Sequence, residues 1–217
     1  EGGGWELHYI CPDHGAALQF SPGRNVCPKC ARDYHGWPWD YVIFLRRHLD
    51  NARAVRDLGL AYRLSGDPSF AAKAGTILAA YATLYPTLPI RSHKDWPATG
   101  HRSGGRVTSQ TLNEADWLIA MAFGYDLVRE TIDEAGRQRI ERDVLRNASD
   151  VIARRDRSLG NWTTRHNAAH LAAGLVLDDR ALVALAVDAE FGFRDQLRRG
   201  ITPEGPWHEG SWGYHFY

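Results

Sequence analysis

From residue 38 onward the apolar positions recur at three- and four-residue spacing, and the pattern predicts helices almost to the end of the chain. Val42, Leu45, Leu49, Leu58 and Tyr62 define the first apolar face, read as two helices broken near Asp50 and stopped at Gly66. Asp67 followed by Pro68 marks a new helix start, and Phe70, Ala74, Ile77, Leu78 and Tyr81 run down its buried face until Pro86. A further helix is expected over 109–128, where Gln110, Glu114, Trp117 and Met121 form a polar and aromatic stripe on an otherwise apolar cylinder. Thr131 and Glu134 have capping-box spacing ahead of Ile140, Val144, Ala148 and Val151. Leu182, Leu185, Ala189, Phe193 and Leu197 give one more amphipathic helix, closed by Arg198, Arg199 and Gly200. No period-two alternation competes after Pro38, so the expected fold class is all-α, with helices paired in hairpins. The absence of a fixed sequence period argues against a regular repeat array.

One helix stands apart. Over 161–177, Thr163, His166, Asn167, His170 and Gly174 share a face, while Ala168, Ala169, Leu171, Ala172, Ala173, Leu175 and Val176 fill the rest of the circumference. A helix apolar nearly all round is buried. Its polar stripe must meet internal partners or line a cleft, because a buried group without a hydrogen bond costs roughly 1–3 kcal/mol. A cleft is the expectation pursued here. Further on, Trp207, Glu209, Trp212, Tyr214 and Tyr217 follow a Pro/Gly-rich turn, with Tyr214 and Tyr217 three apart on an expected first helical turn. A phenol facing an imidazole and an amide can transfer protons but contains no obvious nucleophile. The loop 86–108, polar and rich in Pro and Gly, carries Trp96, His101, Arg102 and Arg106 and has the length of loops that border clefts.

Ahead of the helices, Cys11 and His14 are spaced C-x2-H and Cys27 and Cys30 C-x2-C, each pair beginning Cys-Pro. Three cysteines cannot all pair within one chain, and two such knuckles make a tetrahedral Cys3His zinc site. Four protein ligands leave no open position, so the zinc is expected to be structural, stapling a knob too small for a core of its own. The expected division is a zinc-knuckle segment, 1–37, and a helical domain, 38–217.

Composition narrows the partners only a little. Lys+Arg and Asp+Glu are equal at 26 each, which removes any whole-molecule attraction to nucleic acid; an acidic polymer would have to meet a local cluster such as Arg102 and Arg106. No run is apolar enough to span a membrane. Eight Trp and nine Tyr against one Met suit stacking on sugar faces as well as they suit a helical core.

GNWTTRHNAAHLAAG together with GFRDQLRRGITPEGPWHEGSWGYHFY resembles the catalytic half of the heparinase II/III-like and oligo-alginate polysaccharide lyases, and QTLNEADWLIAMAFGYDL is similar to a groove-facing helix of that family. Similar Cys/His knuckles precede its bacterial members. The resemblance implies an (α/α) toroid, incomplete here, that cleaves a uronic-acid-containing polysaccharide by β-elimination. It implies Asn167 and His166 as the pair that neutralises the uronate carboxylate and Tyr214 as general base or acid. Substrate contacts are expected from Arg106, Gln110, Glu114, Trp162, His170 and Trp212. The implied partners are an acidic polysaccharide, alginate or a glycosaminoglycan, and a β-sheet domain following the toroid that supplies a further His. The family is often periplasmic or secreted, whereas reduced zinc thiolates suit the cytosol, and the compartment stays open. The sequence ends at Phe216 and Tyr217, where a helix should be starting, as expected of a fragment.

Two other readings remain. A toroid glycoside hydrolase acting on uronides would need two carboxyl groups roughly 5 to 10 Å apart, for which Glu114 and Glu209 are the candidates. A non-catalytic, zinc-stapled module would bind polysaccharide through Trp162, Trp207 and Trp212.

Overall fold

The computed structural model describes residues 3–4, 6–92, 102–211 and 213. The chain is mostly helical, as the apolar periodicity predicts. The first helix, α1 (Trp39–Ser65), runs unbroken through Asp50. Asp50 is exposed and pairs with Arg53 one turn on, at 3.2 Å, while His48, Ala52 and Val55 are buried on either side of it. Packing of that face carries the helix through residues whose intrinsic preference is weak. It ends as expected: Gly66 takes a left-handed φ of 73° and returns its N–H to the Tyr62 carbonyl. Asp67 accepts from the Ser69 amide at 2.8 Å and opens α2 (Pro68–Leu84).

Helix α3 (Thr111–Val128) is followed by α4 (Glu134–Ile140), which passes through a π-helical turn, Glu141–Arg146, into α5 (Asn147–Ala153). The expected Thr131–Glu134 capping box does not form. Thr131 donates back to the Val128 carbonyl at 2.8 Å, and Asp133 caps the helix instead by accepting from the Gly136 amide at 2.7 Å. Helix α6 covers Asn161–Val176. The single amphipathic helix expected over 182–197 is two, α7 (Arg180–Val187) and α8 (Phe193–Gly200). Between them Phe191 takes φ 58° and gives its amide to Asp195 at 3.0 Å, a local bond that turns the chain where the apolar spacing alone would continue it.

Helix α3 packs between α1 and α6, with α2 behind α1, α5 behind α3 and α7 behind α6. Trp117, Tyr85, Tyr125, Leu78, Leu118 and Met121 fill the core between the rows. Tyr85 stacks on Trp117 with ring centres 5.2 Å apart, and Tyr81 meets the same indole edge-on. At the α1–α3 crossing a Cβ on Gly124 would lie 2.6 Å from Val55 Cγ1, so only glycine allows this approach.

The N-terminal segment carries the antiparallel pair β1 (Gln19–Ser21) and β2 (Arg24–Val26) and a small apolar cluster of its own, Tyr9, Cys11, Leu18, Cys27 and Tyr34. Val42 and Ile43 of α1 complete that cluster. Asn25 donates to Asp40 at 2.6 Å and the Trp39 indole to the Ile10 carbonyl at 3.1 Å, docking the knob on the start of α1. Among the described residues, no helix is long and apolar enough to cross a membrane.

Candidate functional site

Cys11, His14, Cys27 and Cys30 converge as their spacing predicts: the four ligand atoms lie within 4.8 Å of one another. Ligands held by a tetrahedral zinc are separated by ~3.7 Å, given Zn–S bonds of about 2.3 Å, so this donor set needs only small shifts to close on an ion. Burial would raise the Cys11 thiol, but hydrogen bonds from Tyr34 and His14 outweigh it and bring the thiol down to about 6, favouring the thiolate a metal requires. Cys11 and Cys27 are buried and Cys30 is exposed.

The loop before α3 is organised around Glu114. This side chain is fully buried, and its oxygens accept from the Tyr85 hydroxyl at 2.7 Å and the amides of Arg106 (3.1 Å), Val107 (3.3 Å) and Thr108 (2.9 Å). Thr108 Oγ1 lies 2.9 Å from the carboxylate and 2.6 Å from the Gln110 carbonyl, and shares its single proton between them. Burial pushes the carboxyl up, while the bonds from Tyr85, Arg106 and Thr108 hold it down. With both oxygens on protein donors, Glu114 anchors the loop. Arg106 is likewise engaged, its guanidinium on the Pro86 and Leu88 carbonyls. Gln110 is buried at the N-terminus of α3, and Arg102 pairs with Asp156 at 2.8 Å on the surface.

The α6 stripe is buried as its pattern requires, but its members divide by partner. Asn167 accepts from Arg157 at 2.9 Å and donates to the Phe191 carbonyl at 2.8 Å, so its amide joins the segments on either side of α6 and α7. His170 Nδ1 meets Ser149 Oγ of α5 at 2.8 Å. His166 differs. It is 4% exposed, one ring nitrogen meets the Thr111 backbone in a bond that favours the protonated ring, and Nε2 has no hydrogen-bond partner among the described residues. Trp162 lies edge-on to it at 6.1 Å and carries the Arg155 guanidinium 3.8 Å above its ring centre.

Both imidazoles are neutral in the fold. Burial is the largest cause for both: it lowers His166 to about 3, with His170 and Arg155 adding to the effect, and His170 to about 4, with Arg157 adding. In the unfolded chain each ring takes a proton near its ordinary value of 6.5, so the unfolded state binds more protons as pH falls. Stability is therefore full above pH 6.5 and declines below it until the folded values are reached. At pH 5 the loss is about 2 kcal/mol per ring. Thermal melting at pH 7 and pH 5 should show this drop, and His170→Asn should flatten it by about half.

The segment after α8 folds back on itself. The Thr202 amide bonds to the Pro206 carbonyl and His208 to Gly200, both at 2.9 Å. A Cβ on Gly200 would lie 2.2 Å from the Trp207 ring, so glycine makes room for that indole. Glu209 then reaches the start of α6: its Oε2 accepts from the Asn161 amide at 2.9 Å and from Trp207 Nε1 at 2.6 Å. Trp212 and Tyr214, with Trp96 and His101 of the long loop, lie outside the described residues.

A separate groove of about 610 Å³ runs between α1 and α3. It is lined by Leu49, Arg53, Asn113, Asp116 and Phe123 among others, and α6 contributes Arg165. The partners that give the α6 residues their states, Ser149, Arg157, Thr111 and Glu209, carry no signal in the sequence, since nothing local ties them to positions so distant along the chain.

Residues 21–217 match the family described as alginate lyase. An alginate lyase of Stenotrophomonas maltophilia is 32% identical over 174 residues, and an exo-oligoalginate lyase of Saccharophagus degradans is 29% identical over 175. Each alignment covers 76% of this chain and 23% of the relative, so the chain spans about a quarter of the length of these curated relatives.

Proposed function

Since the chain belongs to the alginate lyase family, we propose that the full-length protein is a polysaccharide lyase that cleaves alginate by β-elimination. The observation that carries the reading furthest is His166: a buried, uncharged imidazole near the start of α6 whose Nε2 has no partner among the described residues. A uronate carboxylate brought against that nitrogen raises the ring's affinity for a proton, and the imidazolium so formed neutralises the carboxylate. That neutralisation acidifies the C5 proton, the first requirement of elimination. Tyr214 removes the C5 proton, or protonates the departing oxygen as the bond to C4 breaks, according to the configuration of the uronate. Asn167, whose amide is engaged at both ends, acts by holding the stripe in place. Trp162, with Arg155 above it, offers a sugar-stacking face, and Trp212 is kept as a further contact.

The helix arrangement supports the architecture that goes with this chemistry. The row α1–α3–α6 backed by α2, α5 and α7 suits an arc of an (α/α) toroid, whose cleft would be completed by the C-terminal β-sheet domain. The hydrolase reading loses support, because Glu114 and Glu209, its two candidate carboxylates, are both bonded to protein donors.

The test mixes the full-length protein with alginate and, separately, with glycosaminoglycans, following near-ultraviolet absorbance. A rise with alginate, from the double bond left at the new non-reducing end, is expected. New reducing ends without absorbance would establish hydrolysis instead, and tight binding with neither would establish a binding module.

The ion proposed for Cys11, His14, Cys27 and Cys30 is a structural zinc. One zinc per chain is expected by elemental analysis, and Cys27→Ser should release it and expose the knob to protease while leaving the helical far-ultraviolet signal in place. Retention of a full equivalent of zinc in that variant would rule the site out.

A further inference from the structure

Helix α6 begins without a cap of its own. Its N-cap is Gly160, which has no side chain to offer, and its first turn contains no acidic residue. Both deficits fall at the end of the helix that carries His166. Helix N-termini are stabilised by an oxygen acceptor for the free amides and by negative charge, and ordinarily the residue at the N-cap supplies them. Here Glu209, 48 residues further along the chain, provides both, its Oε2 accepting from the Asn161 amide at 2.9 Å. A Cβ on Gly160 would stand 3.7 Å from the same carboxylate, so the backbone and Glu209 lie side by side.

The carboxylate is itself aimed from the other side. Trp207 Nε1 donates to the same oxygen at 2.6 Å, and the six-membered ring of the indole packs against Gly200 at the end of α8. The Gln196 side chain of α8 adds a parallel tie, accepting from the Gly160 amide at 3.3 Å and donating to the Ser158 carbonyl at 2.9 Å. The turn after α8 is thus fixed to the start of α6 at one charged point, five residues before Tyr214.

We propose that Glu209 is a positioning residue for the elimination, a helix cap supplied by a distant segment of the same chain that ties the turn leading to Tyr214 to the start of the helix carrying His166. This rests on the lyase reading given above. Neither role requires Glu209 to touch substrate, and its two hydrogen bonds leave the chemistry to the groups it aligns. Misplacement of a reacting group by about 1 Å can cost on the order of 10²-fold in rate, so a cap acting at this distance has the leverage to matter.

The experiment compares Glu209→Ala, Glu209→Gln and Trp207→Phe with wild type and with Tyr214→Phe, all in the full-length protein on alginate. Glu209→Ala is expected to lose at least about tenfold in kcat with KM changed by less than about threefold, since alignment and not uronate binding is removed. Glu209→Gln keeps an oxygen for both donors and should recover most of that loss. Trp207→Phe keeps an aromatic ring at this position but drops the indole donor and part of the ring beside Gly200, while Glu209 keeps its bond to Asn161, so a smaller fall in kcat is expected; should the alanine variant fail to fold, Glu209→Gln and Trp207→Phe carry the test. Wild-type kcat in Glu209→Ala, or, where that variant does not fold, in both other variants, would overturn the proposal, as would an equal loss in Gln and Ala. An inactive wild type would instead remove the lyase reading itself, so the two failures are told apart.

Discussion

Tyr214→Phe in the full-length protein is expected to lower the rate of elimination on alginate by about 10²–10⁴-fold, the range for loss of a positioned general acid or base. The phenylalanine retains the ring and removes only the oxygen, so binding of the polymer should survive, and calorimetric titration should return an affinity within about threefold of wild type. A Phe variant that turned over at the wild-type rate would end the assignment of Tyr214 and leave His166 to act with another group. His166→Ala should fall as far in kcat/KM but also weaken binding, because the imidazole that takes a proton on meeting the uronate is then absent. The contrast between the two variants separates proton transfer from charge neutralisation.

The largest loss of stability is expected at Glu114. Removing its carboxylate strands the Tyr85 hydroxyl and the amides of residues 106, 107 and 108 in a place without solvent. Tyr85 cannot relieve this by ionising, since burial, the largest cause of its raised phenol, remains when the carboxylate is gone. Glu114→Ala should therefore cost on the order of 3–5 kcal/mol, comparable to breaking a buried charged network from one side. Chemical denaturation should show the midpoint falling at constant slope. Glu114→Gln keeps one acceptor oxygen but turns an NH2 toward donors, and an intermediate loss of about 1–3 kcal/mol is expected. A loss below about 1 kcal/mol in the alanine variant would mean that water replaces the carboxylate and that the loop is less dependent on it than its bonds indicate.

Sequence and structure part company at instructive places. The convergence of Cys11, His14, Cys27 and Cys30 was legible because each pair is three positions apart on a Cys-Pro turn, and their Sγ and ring-nitrogen atoms do come together. Helix α2 was legible to the residue at its start, where Asp67 and Pro68 act locally. The break expected in α1 near Asp50 was misread because local preference there is weak and the buried face of a 27-residue helix overrides it. The division of α7 from α8 was missed for the opposite reason: the apolar spacing runs on, while a single bond from the Phe191 amide to Asp195 turns the chain.

The sequence by itself determined the helical class, the pairing of Cys11 with His14 and of Cys27 with Cys30 on local turns, and which residues of α6 are polar on a buried face, because each depends on spacing within a few turns of one element. It pointed to the lyase family through the same local patterns. What only the tertiary structure decided is what each polar group faces. Asn167 and His166 are adjacent in sequence, yet one has its amide held by Arg157 and Phe191 and the other has a ring nitrogen with no partner among the described residues. Glu114 and Glu209 looked alike as acids, and one organises a loop from within while the other caps a helix from a distant segment. A hydrogen bond joins atoms a few ångströms apart in space, whatever their separation along the chain, so periodicity can place a side chain on a face but cannot name its partner.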